Sequence, residues 1–178
     1  MCTGNICRSP MAEVLLAARL KALGEVATVR SAGMLGPGRE ASPSGVAVMA
    51  ARGLDTAPHR SRRVDSQMLA AADLVVGLAR EHVRHVVVER RDVWSRAFAL
   101  KEIVRRGERV GPRPAPQPLR EWLARLHAGR LTADLLGQSD DDDVADPIGQ
   151  PLAAYEATAV ELDGLTRRLA ALLAGARP

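Results

Sequence analysis

The residues that could do chemistry stand at the front of the chain: Cys2-Thr3-Gly4-Asn5-Ile6-Cys7-Arg8-Ser9, followed by Pro10. A cysteine, five residues, an arginine and a hydroxyl residue make a loop suited to hold a tetrahedral oxyanion against a thiolate. Gly4 is expected to take the positive φ that turns successive backbone N–H groups inward as an anion nest. Ser9 as N-cap and Pro10 at the first helical position predict a helix there, so the loop should empty into a helix N-terminus. Nest and helix dipole both favour negative charge on Cys2, and Arg8 adds a planar pair of donors for two ligand oxygens. A cysteine in that field is expected to be a nucleophile at neutral pH. Far along the chain, Asp146-Pro147 offers a candidate general acid. It follows an acidic run, Asp140 to Asp143, read as a solvated loop with Asp143 as the reserve acid.

Elements that must position these groups can be read from periodicity and punctuation. Residues 10–23 have helical spacing, with Met11, Val14, Leu15 and Ala18 on one face and Gly24 as a C′ residue. Val26 to Ser31 reads as a strand, residues 34–43 as a loop, and Ser44 to Arg52 as a short helix stopped by Gly53. Leu74 to Leu78 reads as a buried strand, followed by a helix over Arg80 to Glu89 and another over 98–106. Gly111 to Pro118 carries four prolines, which excludes helix or central strand and predicts an exposed loop. Leu119 to His127 is helical again. Leu152, Tyr155, Ala159, Leu162, Leu165, Leu169 and Leu172 line one face of a long closing helix. Helices alternating with short apolar strands predict an α/β fold in three layers, a central parallel sheet with helices on both faces.

Composition narrows the function. The 178 residues are 47% apolar, which suits one domain over 1–178 with a substantial core. No apolar run reaches the ~18 residues of a membrane span, and no basic-then-apolar leader is visible, so a cytoplasmic protein without a membrane partner is expected. Cys2 and Cys7 lie too close in sequence for a useful disulfide framework, and a free nucleophilic thiol wants a reducing compartment. His59, His82, His85 and His127 form no metal-ligand spacing, so no metal and no cofactor is expected. The net charge is +4, but the arginines are dispersed and four aromatic residues make no stacking platform, which argues against nucleic acid.

The opening Cys-x5-Arg-Ser-Pro resembles the signature of the low-molecular-weight protein tyrosine phosphatase family. Arg30-Ser-Ala-Gly33 is similar to the family's second strand and turn. Gly53-Leu-Asp, with His59-Arg-Ser-Arg62 after it, and Ala72-Asp-Leu-Val-Val with Arg80-Glu-His-Val, are similar to stretches that follow it. Asp146-Pro147 looks like the loop that delivers the acid. The likeness covers residues 2–89 and 144–173, while 90–143 is longer and richer in arginine and proline than it leads one to expect. It implies hydrolysis of phosphate monoesters, protein phosphotyrosine foremost or a small aryl phosphate, through a phosphocysteine on Cys2. Arg8 and the backbone of Thr3, Gly4, Asn5, Ile6, Cys7 and Ser9 would form the phosphate loop, and Asp146 would be acid and then base. Ser9 would hydrogen-bond the sulfur, Asn5 and Ser31 would support the loop, and His59 would be structural.

Two departures from the family pattern shape further expectations. Aromatic residues that wall a phosphotyrosine ring are replaced by Leu35 and Ile148, which could still pack on a ring. The apolar strand that precedes the nucleophile in the family is represented only by Met1, so the first central strand is expected to be missing here and to be encoded ahead of Met1. Cys7 either packs or pairs with Cys2 on oxidation. A thiol-coupled arsenate reductase on the same scaffold, with arsenate in the phosphate loop, is one alternative. A non-catalytic phosphate-binding module is the other.

Overall fold

Parallel β1 (Val75–Gly77) and β2 (Ala97–Ala99) form the regular part of the sheet, in the register Val75 to Ala97, Val76 to Phe98 and Gly77 to Ala99. The structure, a computed structural model, describes residues 1–175; residues 176–178 of the expected domain lie outside that range. The helices are α1 (Arg8–Ala22), α2 (Pro43–Ala50), α3 (Ser66–Ala71), α4 (Arg80–Glu89), α5 (Leu100–Val110), α6 (Leu119–His127) and α7 (Leu152–Ala174). Two 3-10 turns, Arg91–Arg96 and Thr132–Leu135, complete the order.

Strand pleating divides the core into two layers, since successive side chains point to opposite faces. Val75, Ala97 and Ala99 enter a cluster with Val83, Val86 and Val93 under α4. Val76 and Phe98 face the other cluster, where α1, α2, α5 and α7 pack together around Met11, Leu15, Ile103, Leu162 and Leu169. This is the expected three-layer α/β arrangement.

The sheet continues beyond β1 by single rungs rather than strands. Cys2 pairs in parallel with Gly33, and Gly33 with Arg63. On the β1 side, Leu78 N donates to Met1 O at 2.9 Å, and the Met1 amine donates to Val76 O. The strand expected over Val26 to Ser31 does not form. Among the described residues, Met1 to Thr3 is the only segment between Ala32–Gly33 and β1, and an open cavity of about 880 Å³ lies alongside, lined by Leu16, Leu20, Val29, Leu69 and Leu74. With no strand hydrogen-bonded beside it, residues 26–31 stay irregular and Val26 is fully exposed.

Other expectations shift by a few residues for local reasons. The helix placed at 98–106 begins at Leu100 because Ala97 to Ala99 pair with β1. The short helix placed at Ser44 begins at Pro43, and Ser42 caps it by accepting from Gly45 N at 3.3 Å. Helix α3, capped by Asp65, carries too short a pattern to have been anticipated. Leu152, placed on the buried face of the closing helix, is 48% exposed at the first position of α7. The loop at 111–118 is as irregular as its prolines require, yet tethered: Arg113 Nε donates to Leu173 O at 2.8 Å and Trp122 Nε1 to Gly111 O at 2.9 Å.

The segment 90–143 has its own polar centre. Arg130 lies between the rings of Trp94 and Phe98, with its guanidinium carbon 3.8 and 4.0 Å from their centroids. Its Nε donates to Glu102 Oε1 at 2.7 Å and its Nη2 to Ala97 O at 2.8 Å. Burial pulls the guanidinium below its ordinary pKa, and Glu102 opposes that shift. Glu102→Ala is expected to strand a cation whose side chain is 1% exposed. The urea midpoint should report a loss of about 3–5 kcal/mol.

Candidate active site

The phosphate-loop sequence folds into a closed turn between the Cys2 rung and α1. The carbonyls of Thr3, Asn5 and Ile6 find partners outside the loop. Thr3 O accepts from Met34 N at 2.8 Å and Leu35 N at 3.1 Å, and Ile6 O from Ser42 N at 2.8 Å. Asn5 O accepts from His59 Nε2 at 2.7 Å, which gives His59 the structural part expected of it. Among the described residues, no carbonyl takes the amides of Thr3, Gly4, Asn5, Ile6 or Cys7. A run of unpaired N–H groups that ends at a helix N-terminus is an anion site.

Two local expectations are corrected here. Asn5, not Gly4, takes the left-handed backbone, with φ 52°. Asparagine tolerates that region, and its side chain is fastened on both sides: Arg62 N donates to Oδ1 at 2.9 Å, and Nδ2 donates to Ser31 Oγ at 2.8 Å and Ser9 Oγ at 2.9 Å. Ser9 is not the N-cap. The helix begins at Arg8, and the Ser9 hydroxyl lies 3.0 Å from Cys2 Sγ instead of capping the backbone. Cys2, Asn5 and Ser9 are all buried.

Arg8 joins the loop to the acid. Its Nη1 donates to Val144 O at 2.9 Å and its Nη2 to Asp146 Oδ2 at 2.5 Å. The buried Nε has no partner among the described residues, leaving a donor for a ligand oxygen. Asp146 is about one-third exposed, at the mouth of the site. The chain thus brings together Cys2, Arg8, Ser9 and Asp146, residues up to 144 positions apart. Leu35 and Ile148, each 49% exposed, present free apolar surface. Arg39 Nη1 comes within 3.8 Å of where a Gly4 side chain would begin.

The acidic run is not simply solvated. Asp142 is buried and receives Arg80 Nε at 2.7 Å and Arg105 Nη2 at 2.8 Å. Asp143 accepts from Arg80 N at 2.7 Å and Ser139 N at 3.0 Å, so both its oxygens are engaged away from the site. Four successive like charges read as a solvated patch; the arginines that bury one of them lie on α4 and α5, outside the local pattern.

His82 is a site residue that sequence reasoning passed over. It is fully buried, its Nε2 is 3.1 Å from Thr3 Oγ1, and its Nδ1 has no partner among the described residues. Burial, then the Met1 ammonium, Arg8 and His85, lower its pKa to about 3, so it stays neutral beside the loop. Cys7 is a free thiol, 3.5 Å from the Tyr155 hydroxyl. Among the described residues no group of three or more His, Cys, Asp or Glu is placed to hold a metal ion, and no helix is long and apolar enough to cross a membrane.

An α/β fold that sets a Cys-x5-Arg-Ser loop against the carboxylate of an Asp-Pro loop defines the class of phosphoric monoester hydrolases. The chain belongs to the low molecular weight phosphotyrosine protein phosphatase family, whose sequence model matches residues 1–111. It is 30% identical over 171 residues to a protein-arginine-phosphatase of Geobacillus stearothermophilus, covering 96% of this chain and 90% of the relative. It is 44% identical over 88 residues to low molecular weight protein-tyrosine phosphatase A of Mycobacterium tuberculosis, covering 47% of this chain and 53% of the relative. Among solved structures it is similar to a low molecular weight protein tyrosine phosphatase from T. tengcongensis, with 34% identity, a TM-score of 0.71, and 94% and 92% of the two chains covered.

Two predictions follow from the packing around the loop. A Cβ on Gly33 would lie 2.8 Å from Thr3 O and 2.9 Å from Asn5 N, both backbone atoms of the loop. Gly33→Ala should therefore weaken vanadate binding at least ~10-fold, while thermal unfolding reports a loss of about 1–3 kcal/mol. For His82 the folded pKa, about 3, lies below the unfolded value near 6.5, so the unfolded chain takes up a proton that the folded one refuses. Stability is complete above the unfolded value and is lost as pH falls through it. Between about pH 6 and 5 urea unfolding should show a slope approaching 1.4 kcal/mol per pH unit, reduced in His82→Gln.

Proposed function

We propose that this chain hydrolyses phosphate monoesters on proteins, phosphotyrosine above all, through a phosphocysteine on Cys2. The observation that carries this reading is the loop in which every carbonyl with a partner is tied outward while the amides of Thr3 to Cys7 stay unpaired around a buried cysteine. Those amides and Arg8 would hold the three equatorial phosphate oxygens as the Cys2 thiolate attacks phosphorus in line.

In the resting site Asp146 occupies Arg8 Nη2. An incoming phosphate competes for that donor and frees the Asp146 carboxyl from Arg8 to act as the proton donor. Asp146 then protonates the leaving oxygen as its bond to phosphorus breaks. In the second step its carboxylate takes a proton from water, the water oxygen bonds to phosphorus, and the sulfur departs as a thiolate that accepts from Ser9. Leu35 and Ile148 provide the free apolar surface against which an aromatic ring would rest, and Arg39 adds a cation beside the loop that suits an anionic peptide.

Phosphoarginine is the second reading. It is favoured by the likeness, over 96% of this chain, to a protein-arginine-phosphatase. Against it stand the apolar surfaces of Leu35 and Ile148 and the nearby Arg39 guanidinium, which disfavour a cationic side chain.

The test is turnover of matched phosphotyrosine and phosphoarginine peptides, with a small aryl phosphate as reference, at mildly acidic pH without added metal. Hydrolysis should be abolished in Cys2→Ser, and kcat for the phosphotyrosine peptide should fall about 10²-fold or more in Asp146→Asn. Faster turnover of the phosphoarginine peptide would move the substrate assignment to the second reading. Binding of all three without turnover by a folded protein would leave a phosphate-binding module.

A further inference from the structure

We infer that Glu13 is a positioning residue for the nucleophile, the terminal acceptor on one side of a hydrogen-bond relay that runs out from the Asn5 amide to Glu13 and, on the other side, to Cys2 Sγ. The inference rests on the reading of Cys2 as the nucleophile, and it extends the site to a residue with no contact with the phosphate loop's ligand face.

Glu13 sits on α1 one turn beyond Ser9. An ionised carboxylate can only accept. Its Oε2 takes both donors of Ser31, the backbone N–H at 2.9 Å and the hydroxyl at 2.5 Å. The Ser31 hydroxyl has a single proton, and Glu13 commits it. Its lone pairs are then left for Asn5 Nδ2, at 2.8 Å.

Asn5 cannot reverse its amide, because Arg62 N donates to its Oδ1 at 2.9 Å. Its second Nδ2 proton goes to Ser9 Oγ, at 2.9 Å. Ser9, having accepted there, has its own proton to give, and Cys2 Sγ lies 3.0 Å away. The orientations of Ser31 and Asn5 are thus set by the acceptor Glu13 and the donor Arg62 N, and Ser9 is left with its proton for Cys2.

Ser31, Asn5, Ser9 and Cys2 are 5%, 0%, 2% and 3% exposed. An unmade bond in such a chain is costly, and groups so linked reorient together. Without the acceptor at Glu13, the Ser31 hydroxyl is no longer fixed as the acceptor for Asn5 Nδ2, and the amide that holds Ser9 loses one of its two anchors. The Ser9 hydroxyl is then no longer held toward the sulfur, and thiolate on Cys2 loses a hydrogen bond.

The experiment is the pH–rate profile of Cys2 alkylation by iodoacetate, followed on the Cys2 peptide by mass spectrometry so that Cys7 does not contribute. Glu13→Ala should move the profile to higher pH and slow alkylation near pH 6 about 3–10-fold, the weight of one hydrogen bond. Glu13→Gln keeps a carbonyl oxygen that can accept both Ser31 donors, and should stay within about twofold of the parent. Ser31→Ala should reproduce the Glu13→Ala shift, and the double variant should be no worse than either single one.

A Glu13→Ala profile that coincides with the parent, or a Glu13→Gln profile as displaced as that of Glu13→Ala, overturns the relay. So does an additive double variant. A merely structural part for Glu13 would lower the melting temperature and leave the profile in place. If Glu13→Ala does not fold, Glu13→Gln and Ser31→Ala decide alone: the relay stands only if the first matches the parent and the second is displaced. The readout needs no turnover, so a chain that alkylates with this pattern yet cleaves no phosphoester sinks the phosphatase reading and leaves the relay intact.

Discussion

The site depends on a backbone constraint: a loop can offer its amides to an anion only if its carbonyls are satisfied elsewhere. Buried carbonyls without partners cost about as much as a lost hydrogen bond each. Here the partners come from separate parts of the chain, Met34 and Leu35 after the Gly33 turn, Ser42 at the cap of α2, and His59. That is why the 31–36 and 59–62 segments lie against the loop although neither belongs to a regular strand. Gly33 is the tightest point, since its lack of a side chain lets two backbones approach to a distance that no Cβ could share. The anion nest is therefore a property of four segments together, and the eight-residue motif is only its inner wall.

Charge is arranged around the same loop by a second set of contacts. Arg8 is the link, because it holds the acid loop through both Val144 O and Asp146. Val144 is held in turn by Leu78 O, at the end of β1. Just ahead of it, Asp142 and Asp143 clamp the loop onto Arg80 and Arg105. What reads as an acidic surface run is thus the anchor that holds the Asp146 loop against Arg8. In this arrangement the Asp146 carboxylate and the Arg8 guanidinium are paired with each other.

Much of this was legible in the sequence, and the parts that were not have identifiable causes. The Cys2 to Ser9 spacing points to a tight turn with inward amides because that pattern is local, and α4 and α6 carry periodicity and punctuation strong enough to set their own ends. Ser9 misled because a hydroxyl before proline is a good helix cap, and only the folded chain reveals the sulfur and the Asn5 amide that claim it instead. Gly4 misled for a related reason: local freedom suggested where a left-handed residue could sit, whereas side-chain contacts placed it at Asn5. Val26 to Ser31 has strand composition and no strand beside it, and β-structure is decided by neighbours more than by propensity. His82 and Glu13 are ordinary helix residues until their partners, 79 and 18 positions away, are known.

The two polar centres of the molecule divide the work between them. The loop, Glu13, Ser31 and His82 form one, on residues that precede β1 or follow it directly. Glu102, Arg130 and the rings of Trp94 and Phe98 form the other, wholly within 90–143. Apart from the sheet, no residue is common to both, and polar networks without shared partners act nearly independently on stability. The first centre spends buried hydrogen bonds on holding one unfavourable arrangement, unpaired amides around a thiol. The second is saturated: Arg130 donates to Glu102, Ala97 and Trp94 and is stacked on two rings. It pins β2 to α5 and thereby steadies β1, whose end carries both the Met1 rung and the Val144 anchor. Segment 90–143 thus meets the Cys2 loop through the sheet and through the Asp142 and Asp143 clamp.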